Sequence, residues 1–253
     1  MNPISAVILT LNEERNIERC IHSLHGVADE IVVIDSFSED NTRNICEKLG
    51  VRFIQHKFEG YIEQKNWAIT QAGFPHVLSL DADEALSQEL KQSIIRVKEN
   101  MTADGYYFNR LNNYCGKWIK HCCWYPDRKL RLWDSRKGKW TGINPHDKYE
   151  LNQGSVENFL EGDLLHYSYY TIYQHVEQAN KFSEIQAKDY FNNGKSTNIF
   201  DILTRPAWKF LRCYIINAGF LDGFYGFVIC MITAHSTFLK YAKLRQLIKK
   251  ISA

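Results

Sequence analysis

Over the first hundred residues, short runs of β-branched and other apolar side chains alternate with stripes of helical period. Residues 5–10 (SAVILT) read as a buried strand. Asn12 is expected to cap the helix that follows, with Glu13 and Glu14 in a first turn where acids complement the dipole, and Ile17, Cys20, Ile21 and Leu24 on one apolar face. A second strand falls at 30–36 (EIVVIDS), and a second helix starts near Asn41 with Ile45, Cys46 and Leu49 inward and Gly50 just past its end. A third strand at 51–56 (VRFIQH), a helix around 62–72 (IEQKNWAITQA) and a fourth strand at 76–80 (HVLSL) complete the alternation. Strand and helix at this spacing predict an α/β fold on a mostly parallel sheet with right-handed crossovers.

The fourth strand runs directly into Asp81, Asp83 and Glu84. In open parallel sheets ligands bind beyond the carboxyl ends of the strands, which is where these acids fall. Two carboxylates on alternate residues of an extended segment face one side, so Asp81 and Asp83 can jointly hold a hard divalent cation that takes further oxygens from a diphosphate. A solvated acidic turn before a helix capped by Ser87 accounts for the same residues without a ligand.

The last third differs in character. A helical stripe is expected from Ile172 through Val176, Ala179 and Phe182 to a stop at Gly194. The apolar stretch from Phe224 to Leu239 has 16 residues, fewer than the ~20 needed to span a bilayer. Arg205, Lys209 and Arg212 precede it, and Lys240, Lys243, Arg245, Lys249 and Lys250 follow. Amphipathic, aromatic helices flanked by bases suit an anionic membrane surface, while a buried helical hairpin or a homodimer interface are the alternatives.

Charge adds little: 31 basic against 29 acidic residues, a net +2 over 253, is too balanced to argue for a nucleic-acid surface, none is expected, and any basic partner surface must be local. The seven cysteines are scattered and the start, MNPISAVILTLNEE, lacks a basic segment followed by an apolar one and a cleavage site, so reduced thiols in a cytoplasmic protein are expected. Cys115, His121, Cys122 and Cys123 lack the paired C-x-x-C spacing of a closed zinc site.

The stretches AVILTLNEERNIERCIHSL, IVVIDSFSEDNT, QKNWA and VLSLDADE resemble, in order and spacing, the nucleotide-sugar half of glycosyltransferase family 2. YCGKWIKHCCWYPDRKLRLW, GDLLHYSY, FLDGFYGF and FLKYAKL are similar to its lipopolysaccharide core branch. The resemblance implies a GT-A fold, placed over residues 1–168, while the aromatic and basic pattern of 169–253 leads us to expect a helical, membrane-associating extension. It also implies inverting transfer from a nucleoside diphosphate sugar, a UDP-sugar foremost, with Mg2+ or Mn2+. The expected product is a hexose, glucose first among candidates, joined to a lipid-linked saccharide at the inner face of a bacterial cytoplasmic membrane.

Carried over residue by residue, Thr10, Leu11, Glu13 and Asp35 would hold the base and ribose, and Gln64, Lys65 and Asn66 would lie near the diphosphate with Asp81. Asp35 could instead cap its own turn. Where the family commonly has DDGS, this chain has Ser36 for the second acid and Phe37 for glycine, so a backbone with φ > 0 at 37 would be strained. Inversion needs one base to take the acceptor proton. Asp147, in NPHDKYE beside His146, is the first candidate, occupying a position where relatives often carry Glu; Asp127, in WYPDRKL, is the second. His166 is the candidate third metal ligand beside Asp81 and Asp83, or a phosphate contact, with His146 its competitor. Trp124, Arg128 and His146 are candidates for the acceptor, with core packing the alternative for Trp118 and Trp124. Two rivals remain, a sugar nucleotidyltransferase and a non-catalytic membrane adaptor. The acidic LTLNEERN after the first strand, in place of a glycine-rich basic loop, argues against the former.

Overall fold

The computed structural model describes the backbone of residues 1–143 and 146–251 and the side chains of 1–142 and 147–249. The chain divides into two units, 1–110 with 127–167, and 111–126 with 168–253. Residues 111–126, assigned from sequence to the first domain, therefore belong with the second unit: their apolar side chains Tyr114, Ile119 and Cys122 are buried with Cys213, Ile229 and Cys230.

In the first unit, β1 (Ile4–Thr10) is buried along almost its whole length, as expected of a strand covered on both faces. It leads to α1 (Ile17–Leu24), whose Ile17, Cys20, Ile21 and Leu24 are fully buried. Then come β2 (Glu30–Asp35), α2 (Thr42–Lys48), β3 (Arg52–Gln55), α3 (Tyr61–Ile69) and β4 (His76–Asp81). Strands β1, β2, β3 and β4 pair in parallel in the order β3-β2-β1-β4. The register sets Thr10 beside Asp35 and Leu9 beside Asp81, so these strand ends share one carboxyl edge.

The first helix begins later than the sequence suggests. Asn12 adopts a left-handed φ of 55° instead of capping, because the 11–16 loop is fastened to the loop after β2: the Asn12 amide donates to Ser38 Oγ at 2.8 Å and the Glu13 amide to Thr42 Oγ1 at 2.9 Å. The α1 N-terminal residue Asn16 makes no side-chain cap.

The short β5 (Glu84–Leu86) follows β4, and Ser87 caps α4 (Gln88–Glu99) by accepting from the Leu90 amide. Strand β6 (Gly105–Tyr114) carries the chain out of the first unit, β7 (Lys117–Ile119) pairs back on its far end in the second, and β8 (Arg128–Asp134) returns. A hairpin of β9 (Gly138–Ile143) and β10 (His146–Leu151) precedes β11 (Glu157–Tyr169). Antiparallel strands extend the sheet beyond β4 in the order β8-β6-β11-β5. At Gly162 of β11 a Cβ would stand 2.2 Å from the Leu90 amide nitrogen, so only glycine lets this strand pass the start of α4.

The second unit is mainly helical: α5 (Ile172–Asn192), α6 (Ile199–Leu211) and α7 (Gly223–Ile251). A π-helical turn at Arg212–Ile216 and a 3-10 turn at Gly219–Asp222 join the last two. On α5 the buried stripe is His175, Ala179, Ser183 and Ala187; Ile172 and Val176, expected on the inner face, are exposed. Small residues let α7 pack closely there, and the larger apolar ones face outward.

Candidate active site

The acids after β4 do not sit in a solvated turn. Glu84, 1 % exposed, accepts from the Asp81 amide at 2.9 Å through Oε2 and from Arg131 Nη2 at 2.9 Å through Oε1. The same Arg131 nitrogen reaches Asp81 Oδ2 at 2.9 Å. Arg131 comes from β8, whose register Leu78 with Leu132 lays it against the end of β4. Burial alone would raise the Asp81 carboxyl, but Arg131, Lys65 and Arg110 outweigh it and hold the group well below the usual carboxylate range. Burial would likewise pull the Arg131 guanidinium down, and the charges of Glu84 and Asp81 reverse this.

Antiparallel β11 sets His166 opposite Glu84. From there its Nε2 lies 3.0 Å from Asp83 Oδ2. Burial lowers the imidazole, and the Asp83 carboxylate more than compensates, so its proton is held more firmly than usual. His166 thus addresses Asp83, and no three His, Cys, Asp or Glu side chains converge as a metal cage among the described residues. Asp81 and Asp83, on either side of Ala82, remain as hard oxygen donors. That set fits Mg2+ or Mn2+ taking most of its other ligands from a diphosphate and water.

Lys65, on α3, ion-pairs with Asp147 of β10 at 2.6 Å, and its ammonium lies 4.3 Å from the centre of the Trp140 ring. Both groups open on a cavity of about 550 Å3, whose lining also includes Asp81, Arg110, Arg128 and Arg131. Six basic side chains and two carboxylates line it, a balance that favours an anionic ligand. Arg131 Nε and Nη1, Trp140 Nε1 and Tyr149 Oη are buried without a hydrogen-bond partner among the described residues. Trp133 stacks on Tyr149 at 3.9 Å between ring centres, with Trp140 edge-on to both, and this aromatic slab backs the cavity.

The other candidates divide. Thr10 is buried at the end of β1 with Oγ1 unpartnered, while Leu11 is exposed. Burial pushes the Glu13 carboxyl up to about 7, against the Asn16 hydrogen bond that lowers it and with Asp83, Asp40 and Asp81 adding to the rise. Asp35 caps its own turn, accepting from the Ser38 amide at 2.9 Å and from the Ser38 hydroxyl. Phe37 does adopt φ 65°, in the left-handed region where the family carries glycine. Gln64 bridges His56 and Ser36 at 2.7 and 3.3 Å. Asn66 is used otherwise than expected: its amide clamps both the C=O and the N–H of Trp140, at 2.9 and 3.0 Å, fixing β9 on α3.

Asp127 is held by Arg110 at 2.9 Å and Lys129 at 3.0 Å, which makes it an anchor for the cavity's bases. Exposed Arg128 lies over the Phe159 ring at 5.3 Å. Trp124 belongs to the core of the second unit, edge-on to Tyr114 and His175 at 5.9 and 5.6 Å, because its ring fills a gap between apolar neighbours. The side chain of His146 lies outside the described residues. Within that second unit His121 faces Asp222 at 3.1 Å, Cys122 is 3.5 Å from the same carboxylate, and Cys123 meets Cys213.

Sequence reasoning noted Glu84 among the acids without giving it a role, and missed Arg110, Arg131, Trp140 and Tyr149. A signal existed for one of them: Arg131 interrupts the apolar run LRLW, and a buried cation demands buried acids such as those after β4.

The model of "Glycosyl transferase family 2" matches residues 5–154. An uncharacterized glycosyltransferase of Rickettsia typhi is 35 % identical over 98 % of this chain and 88 % of its own. The lipopolysaccharide core biosynthesis glycosyltransferase LpsC of Rhizobium meliloti is 29 % identical over 96 % of this chain and 92 % of its own. Among solved structures, S. aureus TarS in complex with UDP aligns over 98 % of this chain and 91 % of that one, with a TM-score of 0.47 and 13 % identity. With a family model spanning more than half of its length and a relative this similar along nearly all of it, the chain belongs to glycosyl transferase family 2.

Proposed function

We propose that this glycosyltransferase moves a hexose, glucose first, with inversion from a UDP-sugar to a lipopolysaccharide core or similar cell-envelope glycolipid at the inner face of the cytoplasmic membrane. One observation carries the chemistry: Lys65, Asp81, Arg131 and Asp147 line a single basic cavity at the carboxyl edge of a parallel sheet. The similarity to LpsC supports a cell-envelope acceptor.

Asp81 and Asp83 would hold Mg2+ or Mn2+, which supplies charge neutralisation for a departing diphosphate. Arg131 adds positive charge to the cavity lining that would receive the phosphates and keeps Asp81 ionised. Lys65 is the phosphate partner in this reading. When a diphosphate draws its ammonium away, Asp147 loses its counter-ion, and its carboxylate becomes a competent acceptor for the proton of the incoming hydroxyl. Arg131 then works on the donor and Asp147 on the acceptor, both from the lining of one cavity.

Isothermal titration with UDP and GDP, with and without Mn2+, tests the donor site in the wild type and in Asp83→Ala. Metal-dependent binding of UDP that the variant loses is the expected result. Absence of binding to either nucleotide under any metal would overturn the reading in favour of a non-catalytic scaffold.

A further inference from the structure

Between Ile199 and Met231 twelve large apolar side chains are exposed. Phe200, Leu203, Trp208, Ile216, Leu221 and Phe224 each show more than half of their surface, up to 75 % for Phe200. Soluble surfaces scatter such residues singly, and a continuous series marks a face that some partner covers. The opposite side of the same segment is well packed: Ile202, Cys213, Ile229 and Cys230 are buried within the second unit. The exposure is thus a property of one face of a folded element.

The geometry is a corner. No single helix among the described residues is long and apolar enough to cross a membrane, but 199–216 and 219–249 together are, and they meet at 72°. The bend is built in. Ala218 takes a left-handed φ of 51°, and a Cβ on Gly226 would stand 2.0 Å from the Gly219 carbonyl oxygen, so the first turn of α7 seats directly on the 3-10 turn. Asp222 fastens the inside of the corner, accepting from the amides of Lys120 and His121.

Charge identifies the partner. From 213 to 239 there is no lysine or arginine, whereas Lys209 and Arg212, with Arg205 paired to Asp201, lie on one arm, and Lys240, Lys243 and Arg245 on the other, where the Lys243 ammonium donates to Asn180 and Ser183 of α5. In 195–250 the acids are Asp201, paired with Arg205, and the buried Asp222. An apolar tip between two basic arms matches the layering of an anionic leaflet, with acyl chains under phosphate headgroups. A protein partner would need a deep groove with two acidic rims.

We infer that the α6–α7 corner is a wedge that enters one leaflet of an anionic phospholipid bilayer without crossing it. This rests on the membrane-facing part of the proposed function and is independent of the transfer chemistry. The full chain is floated with vesicles of phosphatidylcholine alone and of phosphatidylcholine mixed with phosphatidylglycerol, alongside Leu221→Glu/Phe224→Glu, two exposed positions whose change leaves the core intact. The wild type is expected to float with the anionic vesicles and poorly with the neutral ones, and the double variant to lose about a hundredfold in partitioning while binding UDP as the wild type does. Equal partitioning of variant and wild type, or no flotation with anionic vesicles, overturns the wedge. So does a wild-type dimer that the substitutions dissociate, which would assign the face to a second copy. UDP binding read in the same samples separates failure of the wedge from failure of the donor site.

Discussion

Lys65 Nζ and Asp147 Oδ2 lie 2.6 Å apart with side chains only 9 % and 12 % exposed, so the candidate phosphate ligand and the candidate base neutralise each other. Breaking such a pair from one side costs about 3–5 kcal/mol unless another charge replaces the lost one. Substrate binding is that replacement. Asp147→Asn should therefore lower kcat by about 10²–10⁴, the usual worth of a general base, while UDP still binds. Asp127→Asn, whose native carboxylate is occupied by Arg110 and Lys129, should retain most turnover. Radiolabelled sugar transfer to membrane glycolipid measures both. Wild-type turnover in Asp147→Asn would remove it as the base.

Arg131 holds two carboxylates, one of them wholly buried. Arg131→Met leaves Glu84 without its main counter-charge and should cost about 3–5 kcal/mol of stability, read as a lower urea midpoint. In Arg131→Met/Glu84→Gln most of that loss should return, because the uncompensated charge is gone. A double variant no more stable than the single one would show that Arg131 acts through packing.

His175 reports on the second unit. Burial pushes its imidazole down to about 4, with Nδ1 3.1 Å from the Tyr114 hydroxyl. Below about 6.5 the unfolded chain takes up a proton that the folded chain refuses, so stability falls as pH drops from about 6.5 to about 4, by at most about 3 kcal/mol. The contribution is fully present above that window. Urea unfolding across the range should show a shallower pH slope in His175→Phe than in the wild type.

Phe37 holds a left-handed backbone at φ 65° with its ring half in solvent. That conformation costs a bulky residue roughly 1–2 kcal/mol, and glycine gives back roughly 0.5–1 kcal/mol in unfolded-state entropy. Phe37→Gly should therefore stabilise the protein by up to about 1 kcal/mol, measured by thermal unfolding. A marked loss of stability would mean that the exposed ring packs usefully.

The parallel half of the fold was legible because its strands are buried on both faces and its helices carry unbroken apolar stripes, as in α1. Register did the rest: once β1 and β4 are parallel neighbours, Asp81 must lie at the carboxyl edge. The antiparallel half was opaque. Its strands mix Arg110 and Arg131 with aromatics, since these two line a charged cavity, and that breaks the alternation by which a strand is read. Asn12 misled for a related reason. An asparagine before acids signals a cap, but here its backbone answers to Ser38, a contact 26 residues away. On α5 small buried residues and large exposed ones invert the usual sign of the stripe, so Ile172 and Val176 were placed inward.

The assignment of 111–126 to the second unit has a consequence for how this protein can be cut or recombined. The chain passes between the units three times, after residues 110, 126 and 167, with β6 and β11 each continuous across a passage. The helices are therefore not a detachable tail. A fragment ending at 168 would strand Tyr114, Ile119 and Cys122 without the Cys213, Ile229 and Cys230 that bury them. A single crossover exchanging the C-terminal third with that of a relative would have to match this inserted segment as well.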